Sequence, residues 1–333
     1  MGRIWKLMAM MVVLLSSCSE DRETPAQENE GRMVYISFRV GTPGGNEVEY
    51  GSNSGRSIQE EDEQVINRLQ VYDFVVAEDT CLNGVYVLKK MEGASSNPPI
   101  GYFGADGNGG TTVSFAIVAP MESKHIFVFV ANEMETAQPA TLDDLLNTTA
   151  GCHLSDGDAA DALIAHGAVM TGKTGEIVID GAFLDDSVTL QRIIARIDVK
   201  NTTSADKNLR LKGISIENCP AQGFLFGRDD AGDMTSIPRI TMKQNSNVVF
   251  EGSNEAEYKK VIYMYECLNT DAGVPTLRVS YTLNGSESVI SVPMEIDGKP
   301  IAIKRNCLYT LQIVEAGAAN AVVCRMIENK KED

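Results

Sequence analysis

Residues 34–40, VYISFRV, alternate strictly: Val34, Ile36, Phe38 and Val40 face one way, Tyr35, Ser37 and Arg39 the other. A period of two belongs to a β-strand with one buried face, and a helix cannot satisfy it. The signature recurs. LYTLQIV, 308–314, sets Tyr309, Leu311 and Ile313 on one side. LQVYDFVV (69–76) and HIFVFVAN (125–132) are apolar on both faces, as central sandwich strands are. TLRVSYTL (276–283) and SVISVPMEI (288–296) flank Asn284-Gly285, residues that tolerate positive φ and so predict a hairpin. Helix is scarce. Thr141 can cap a short one through Leu142, Leu145 and Leu146, and 158–166 reads as a second, both within a connecting region. Many short strands between Gly, Asn and Asp turns predict an all-β chain of sandwiches, long enough for two domains.

A division is expected near Ser187, giving an N-terminal domain over 33–186 and a C-terminal one over 187–333. Asp185 and Asp186 read as the turn that precedes a fresh strand series. The strand VTLQRIIARIDV, 188–199, has a fault in its period. Val188 and Leu190 set one register, and Ile193, Ala195, Ile197 and Val199 set the other. A slip of one residue turns side chains to the opposite face, so a bulge near Arg192 is expected where the strand enters the second sandwich.

The first residues address the chain to export. Arg3 and Lys6 precede an apolar run over 7–15 that is too short to span a bilayer, and the run ends in LSSC at Cys18. This is the pattern of a signal peptide, residues 1–17, with Cys18 as the lipidated (palmitate-bearing) first residue of a lipoprotein. Residues 18–32 are polar, with too little to bury, and read as a disordered tether. The acidic Glu20, Asp21 and Glu23 resemble the surface-export signal of Bacteroidales-type lipoproteins, which implies the outer membrane and cell surface. The chain holds 29 basic and 46 acidic residues. Removal of Arg3 and Lys6 leaves 27 − 46 = −19, a charge that repels nucleic acid and anionic lipid.

Catalytic and metal signals are thin, so no enzyme activity, no metal and no cofactor is expected. The three histidines, His125, His153 and His166, have no metal-ligand spacing; His125 opens a strand and the others lie in loops, so ordinary surface or packing roles are expected. No GxSxG elbow is present. The glycine cluster GADGNGG, 104–110, lacks the Lys-Ser/Thr of a phosphate loop and reads as an interstrand loop. Asp156, Asp158 and Asp161 fall short of the EF-hand pattern and read as a solvated loop. Six cysteines beyond Cys18 (Cys81, Cys152, Cys219, Cys267, Cys307 and Cys324) form no CxxC pair, and sequence leaves disulfides and buried free thiols equally open. The only tryptophan, Trp5, lies in the signal, so a mature glycan platform would rest on tyrosines. GSNSGR, 51–56, is a small-residue polar stretch of the kind proteases favour, presenting Arg56 before Ser57.

Taken in order, the lipoprotein signal at Cys18, VYISFRV, SNSGR (52–56), INRLQVYDF (66–74), FVFVANEME (127–135), VMTGK (169–173), LQRIIARIDV (190–199) and IKRNCLYTLQI (303–313) resemble the fimbrillin family of Bacteroidales-type fimbriae. The resemblance spans residues 18 to about 317. It implies two tandem transthyretin-like β-sandwich domains and a fimbrial subunit (stalk, accessory or tip) that supports adhesion, with other fimbrial subunits as partners. It also implies an arginine-specific maturation protease cutting between Arg56 and Ser57. The cut would free residues 33–56, including the strand of Val34, Ile36, Phe38 and Val40, so that another subunit's strand takes its place by β-augmentation. The donor would be 320–333, whose Val322, Cys324 and Met326 share one face; this tail is shorter than those of the family's stalk subunits. A non-polymerising surface lipoprotein that binds glycans is the alternative. No adhesion receptor is named by the residues.

Overall fold

The computed structural model describes residues 31–41, 65–76, 85–89, 102–105, 111–133, 137–150, 167–203, 209–227, 237–245, 260–268, 273–316 and 321–328. The first alternating segment forms β1 (Arg32–Gly41), with Val34, Ile36, Phe38 and Val40 all buried. β2 (Leu69–Val76), β3 (Tyr86–Lys89), β4 (Tyr102–Ala105), β5 (Thr111–Ala119) and β6 (Lys124–Ala131) follow. Gly104 and Ala105, read from sequence as loop, belong to β4. A five-residue helix, α1 (Leu142–Leu146), begins at Thr141 as expected. The Thr141 side chain accepts from the Asp144 amide, Asp144 accepts from the Thr141 amide, and Leu145 is buried. β7 (Met170–Lys173), β8 (Ile177–Val178), β9 (Phe183–Thr189) and β10 (Gln191–Arg192) complete the first half.

Two sheets face each other there. One has the order β4-β5-β1-β9; the other is β10-β7-β6-β2-β3, with β8 also on β6. Alternate residues of both meet in one core: Val34, Ile36 and Phe38 from the first sheet against Leu69, Val71, Phe127 and Phe129 from the second.

The second half contains β11 (Ile194–Asn201), β12 (Leu209–Pro220), β13 (Arg239–Asn245), β14 (Lys260–Tyr265), β15 (Thr276–Leu283), β16 (Ser286–Pro293), β17 (Glu295–Ile296), β18 (Lys299–Pro300), β19 (Leu308–Ala316) and β20 (Ala321–Glu328). Its sheets are β14-β11-β19-β20 and β13-β12-β15-β16, and β17 and β18 form a small ribbon. The Asn284-Gly285 hairpin is present between β15 and β16, both residues at positive φ. Tyr309, Leu311 and Ile313 are buried, as their alternation requires.

The two halves repeat one topology. β1 runs antiparallel to β5 and parallel to β9; β11 runs antiparallel to β14 and parallel to β19. In the facing sheets, β3-β2-β6-β7 corresponds to β13-β12-β15-β16. The entry bonds match as well: Tyr35 N donates to Ala182 O, and Arg196 N donates to Cys307 O. Additions at the sheet edges set the halves apart: β4 lies outside β5, and β8 and β10 pair with β6 and β7. β20 covers the outer edge of β19, whereas β9 ends its sheet.

Between the halves the chain changes sheets rather than forming a bulge. β9 pairs with β1 through Thr189, β10 pairs with β7, and β11 pairs in the second half from Ile194. Val188 and Leu190 therefore pack in the first core and Ile193, Ala195, Ile197 and Val199 in the other. The period fault at Arg192 marks this crossing. Asp185 and Asp186 are not a turn: both lie inside β9, with β1 as their partner. The first half's sheets thus keep the chain to Arg192.

A short loop of the second half docks against the first. Leu225 N donates to Thr148 O (2.9 Å), Ala150 N to Gly223 O (2.8 Å), and Thr171 Oγ1 to Leu225 O (2.6 Å). Arg305 holds that loop from behind: Nε donates to Glu266 Oε2 (3.0 Å), and the two terminal nitrogens donate to Leu225 O and Phe224 O (2.9 Å each). Gly223 is required by space, since a Cβ there would come within 2.6 Å of the Tyr265 ring. Tyr72, Phe74, Val128 and Val130, on the far faces of β2 and β6, join the second core across this junction.

Candidate groove around the first strand

β1 lies between two partners. It pairs with β5 from Arg32↔Ala119 to Val40↔Thr111, and with β9 from Tyr35↔Phe183 to Gly41↔Thr189. Its backbone is thus bonded on both edges. Beneath it, the Phe38 ring lies 5.0 Å from Phe129, 5.3 Å from Phe127 and 6.3 Å from Phe115, centroid to centroid. Burial of four apolar side chains contributes roughly 6–12 kcal/mol before entropic costs. Without β1, the slot would expose this aromatic floor and unpaired ladder groups on β5 and β9. Val34, Ile36, Phe38 and Val40 are all buried, as their alternation predicts.

The outer face of the same strand is different. Met33 and Tyr35 are half exposed, and Tyr35 stacks on Phe183 of β9 at 5.6 Å. Phe183 is 78 % exposed, the most of any large apolar side chain among the described residues.

At one end of the floor, His125 of β6 is wholly buried and stacks on Phe127. Its Nδ1 lies 2.7 Å from Asp73 Oδ1 and its Nε2 lies 2.9 Å from Ser123 Oγ. A serine, histidine and aspartate in line invite comparison with a nucleophilic triad. The hydrogen bonds read otherwise. Ser123 Oγ donates to Pro120 O at 2.6 Å, so its hydroxyl hydrogen is not directed at the imidazole and it accepts from Nε2–H. A proton then lies between Nδ1 and Oδ1, which leaves the buried pair without net charge. The neighbouring amides are used too, Glu122 N on Ile179 O and Ser123 N on Pro120 O. The set acts as a cross-tie between β2 and β6, a packing role within what the sequence suggested for His125. The Asp73 partner could not be read from spacing, because strand pairing brings it to His125 from 52 residues away.

At residues 65–68, ahead of β2, Asn132 grips the chain. It sits at φ 61°, accepts from Asn67 N (2.8 Å) and Arg68 N (3.3 Å), and donates to Val65 O and Ala168 O (2.8 Å each). Asn favours this left-handed backbone, and its amide supplies both donor and acceptor there. The end of the segment between β1 and β2 is therefore fixed independently of β1.

The C-terminal candidates lie in β20, antiparallel to β19 from Tyr309↔Glu328 to Ala316↔Ala321. Met326 is buried in the second core and Cys324 packs against it. Val322 lies in the same strand. The tail that alternates like β1 thus occupies an edge of its own sheet. Cys18, Arg56, Ser57, Cys81, Cys152, His153, Asp156, Asp158, Asp161 and His166 lie outside the described residues, as does the helix expected over 158–166. Cys219, Cys267, Cys307 and Cys324 are free thiols. Burial pushes Cys219 up to about 11 and Cys324 up to about 12. Among the described residues no group of three His, Cys, Asp or Glu side chains is placed to hold a metal ion, and no helix is long and apolar enough to cross a membrane.

A tandem pair of β-sandwiches whose first strand is inserted between two later ones is an architecture found in known proteins. No protein-family model matches the chain, and no curated protein matches it by sequence. Solved structures do. The tip fimbrial protein Mfa3 of Porphyromonas gingivalis, with a C-terminal truncation, is 14 % identical, with a TM-score of 0.53 over 89 % of this chain and 100 % of that one. A candidate cell adhesion protein of Bacteroides eggerthii is 15 % identical, with a TM-score of 0.54 over 89 % and 95 %. A fimbrial assembly protein of Parabacteroides distasonis is 12 % identical, with a TM-score of 0.50 over 90 % and 96 %. The resemblance to Bacteroidales-type fimbrial proteins read from the sequence is thus met at the level of the fold.

Proposed function

We propose that this chain is a structural subunit of cell-surface fimbriae, exported as a lipoprotein through Cys18 and joined to other subunits by exchange of its first strand. One observation carries the reading. β1 is the first described strand, sits between β5 and β9, and fills the first core with four apolar side chains, while the chain beyond it contains Arg56. An arginine-specific protease cutting between Arg56 and Ser57 converts β1 from a covalent part of the fold into a bound peptide. Another subunit's strand then supplies ladder hydrogen bonds and alternate side chains together. Head-to-tail pairing of this kind does not close, so it propagates as a filament. Fold likeness to fimbrial proteins supports this reading, and adhesion follows from surface display.

Treatment of purified precursor with an arginine-specific protease tests it. Cleavage after Arg56 and release of the peptide carrying β1, with association once other fimbrial subunits are supplied, are expected. A native precursor left uncut between residues 42 and 64, or one that is cut but neither loses β1 nor associates with those subunits, overturns it. Deletion of 320–333 separates donor from acceptor roles: filaments of unchanged length without the tail would assign this subunit the receiving role alone.

A further inference from the structure

We infer that Phe183 selects the incoming strand, and that the strand it selects belongs to a different chain and carries an outward aromatic residue where Tyr35 now stands. This rests on the strand-exchange reading and adds to it the kind of partner.

The inward slots of the groove accept any apolar alternation of suitable volume, so they discriminate weakly. The outward side is more selective, because each residue there meets one neighbour on β9. Tyr35 is opposite Phe183, Ser37 opposite Asp185 and Arg39 opposite Ser187. The Tyr35–Phe183 stack covers a ring that is still 78 % exposed with Tyr35 in place. When β1 leaves, Tyr35 leaves with it and Phe183 stays on β9, at the groove's rim. An incoming strand with an aromatic at that register restores the stack, and one with an acidic residue two positions later meets Asp185.

This chain's own tail cannot supply the first of these. Residues 317–333 contain no Phe, Tyr or Trp. The same tail is already committed, as β20, to the edge of β19 with Met326 in the second core. The tail of a second copy would have to give up those contacts and would still leave Phe183 uncovered. A subunit of another sequence, with an aromatic at the Tyr35 position and alternate apolar residues facing inward, suits the groove better.

Exchange into the full chain, nicked once within residues 42–64 so that β1 remains bound without a covalent link, decides between these outcomes. Three labelled peptides are offered: residues 32–41, the same peptide with Tyr35→Ala, and residues 320–333. Expected are incorporation of the first, about fivefold weaker competition by the second, and at least tenfold weaker competition by the third. In a Phe183→Ala protein the first two peptides should become equal. Equal competition by the first two on the unaltered protein, or discrimination that survives Phe183→Ala, overturns the role of Phe183 while leaving exchange intact. Tail peptide entering as well as 32–41 overturns the different-chain assignment. If the 32–41 peptide itself never enters the nicked protein, exchange fails, and this inference fails with it.

Discussion

Phe38 touches three other phenylalanines beneath β1, so its truncation leaves a cavity that the surrounding rings cannot close. Phe38→Ala should cost the precursor about 3–5 kcal/mol in urea denaturation. It should cost nothing once another strand has replaced β1, which makes the two measurements a check on exchange. Arg305 invites a second test. Arg305→Ala removes the cationic partner of the buried Glu266 carboxylate and one donor each from Leu225 O and Phe224 O, and should cost about 3–5 kcal/mol. The thiols give a pH dependence. Cys219 and Cys324 rise from an ordinary 9.0 to about 11 and about 12 through burial, so above pH 9 the unfolded chain gives up protons that the folded chain keeps. Stability should therefore be unaffected by these thiols below that pH and fall progressively above it. A denaturation midpoint that stays flat from pH 9 to 11, or equal thiol-reagent reactivity in folded and unfolded protein, would contradict the burial. At this scale the sequence was readable where one face was buried: Val34, Ile36, Phe38 and Val40 needed only their alternation. The Tyr35–Phe183 stack and the Asp73–His125 tie were not, because each depends on which strands become neighbours.

Strands carry the next set of consequences. The alternation of 188–199 disclosed an interruption, but not that the two registers serve different cores; local period reports which faces are buried, never against what. Asp185 and Asp186 misled for a related reason. Acidic pairs suit turns, yet β9 ends its sheet, where charged residues are tolerated and discourage unwanted edge pairing. β20 shows the same limit from the other side. Its alternation resembles that of β1, and sequence alone could not say that it already has an edge to cover. Deleting residues 320–333 should uncover β19 and expose the second core around Met326. The expected result is faster amide exchange in β19 and β11 with β1 and β5 unchanged; protection unaltered in β19 would mean the tail contributes little.

On the scale of the whole molecule, the docked loop and the continuous packing of Tyr72, Phe74, Val128 and Val130 predict that both halves unfold together. Intrinsic fluorescence and circular dichroism should give coincident transitions for the unaltered chain. The Arg305→Ala protein is the place to look for their separation, since it loosens the loop without touching the aromatic floor beneath β1. A fold of this kind was legible as a class, because many half-buried strands leave few alternatives to sandwiches. Its duplication was legible only through the family resemblance, which implies two like sandwiches: seven strands recur in the same order with no repeating sequence to announce them, since a topology is kept by burial pattern while individual residues drift.

That duplication bears on geometry beyond the single chain. β11 stands in the second half where β1 stands in the first, yet it is joined to β10 through Ile193 alone, which leaves no length of chain to sever without dividing the protein. Two like sandwiches would otherwise offer two openings per molecule. With one leading strand secured from both ends and the other not, the proposed exchange would give each particle a valency of one for incoming strands, and anything built from it this way would be a thread without branches.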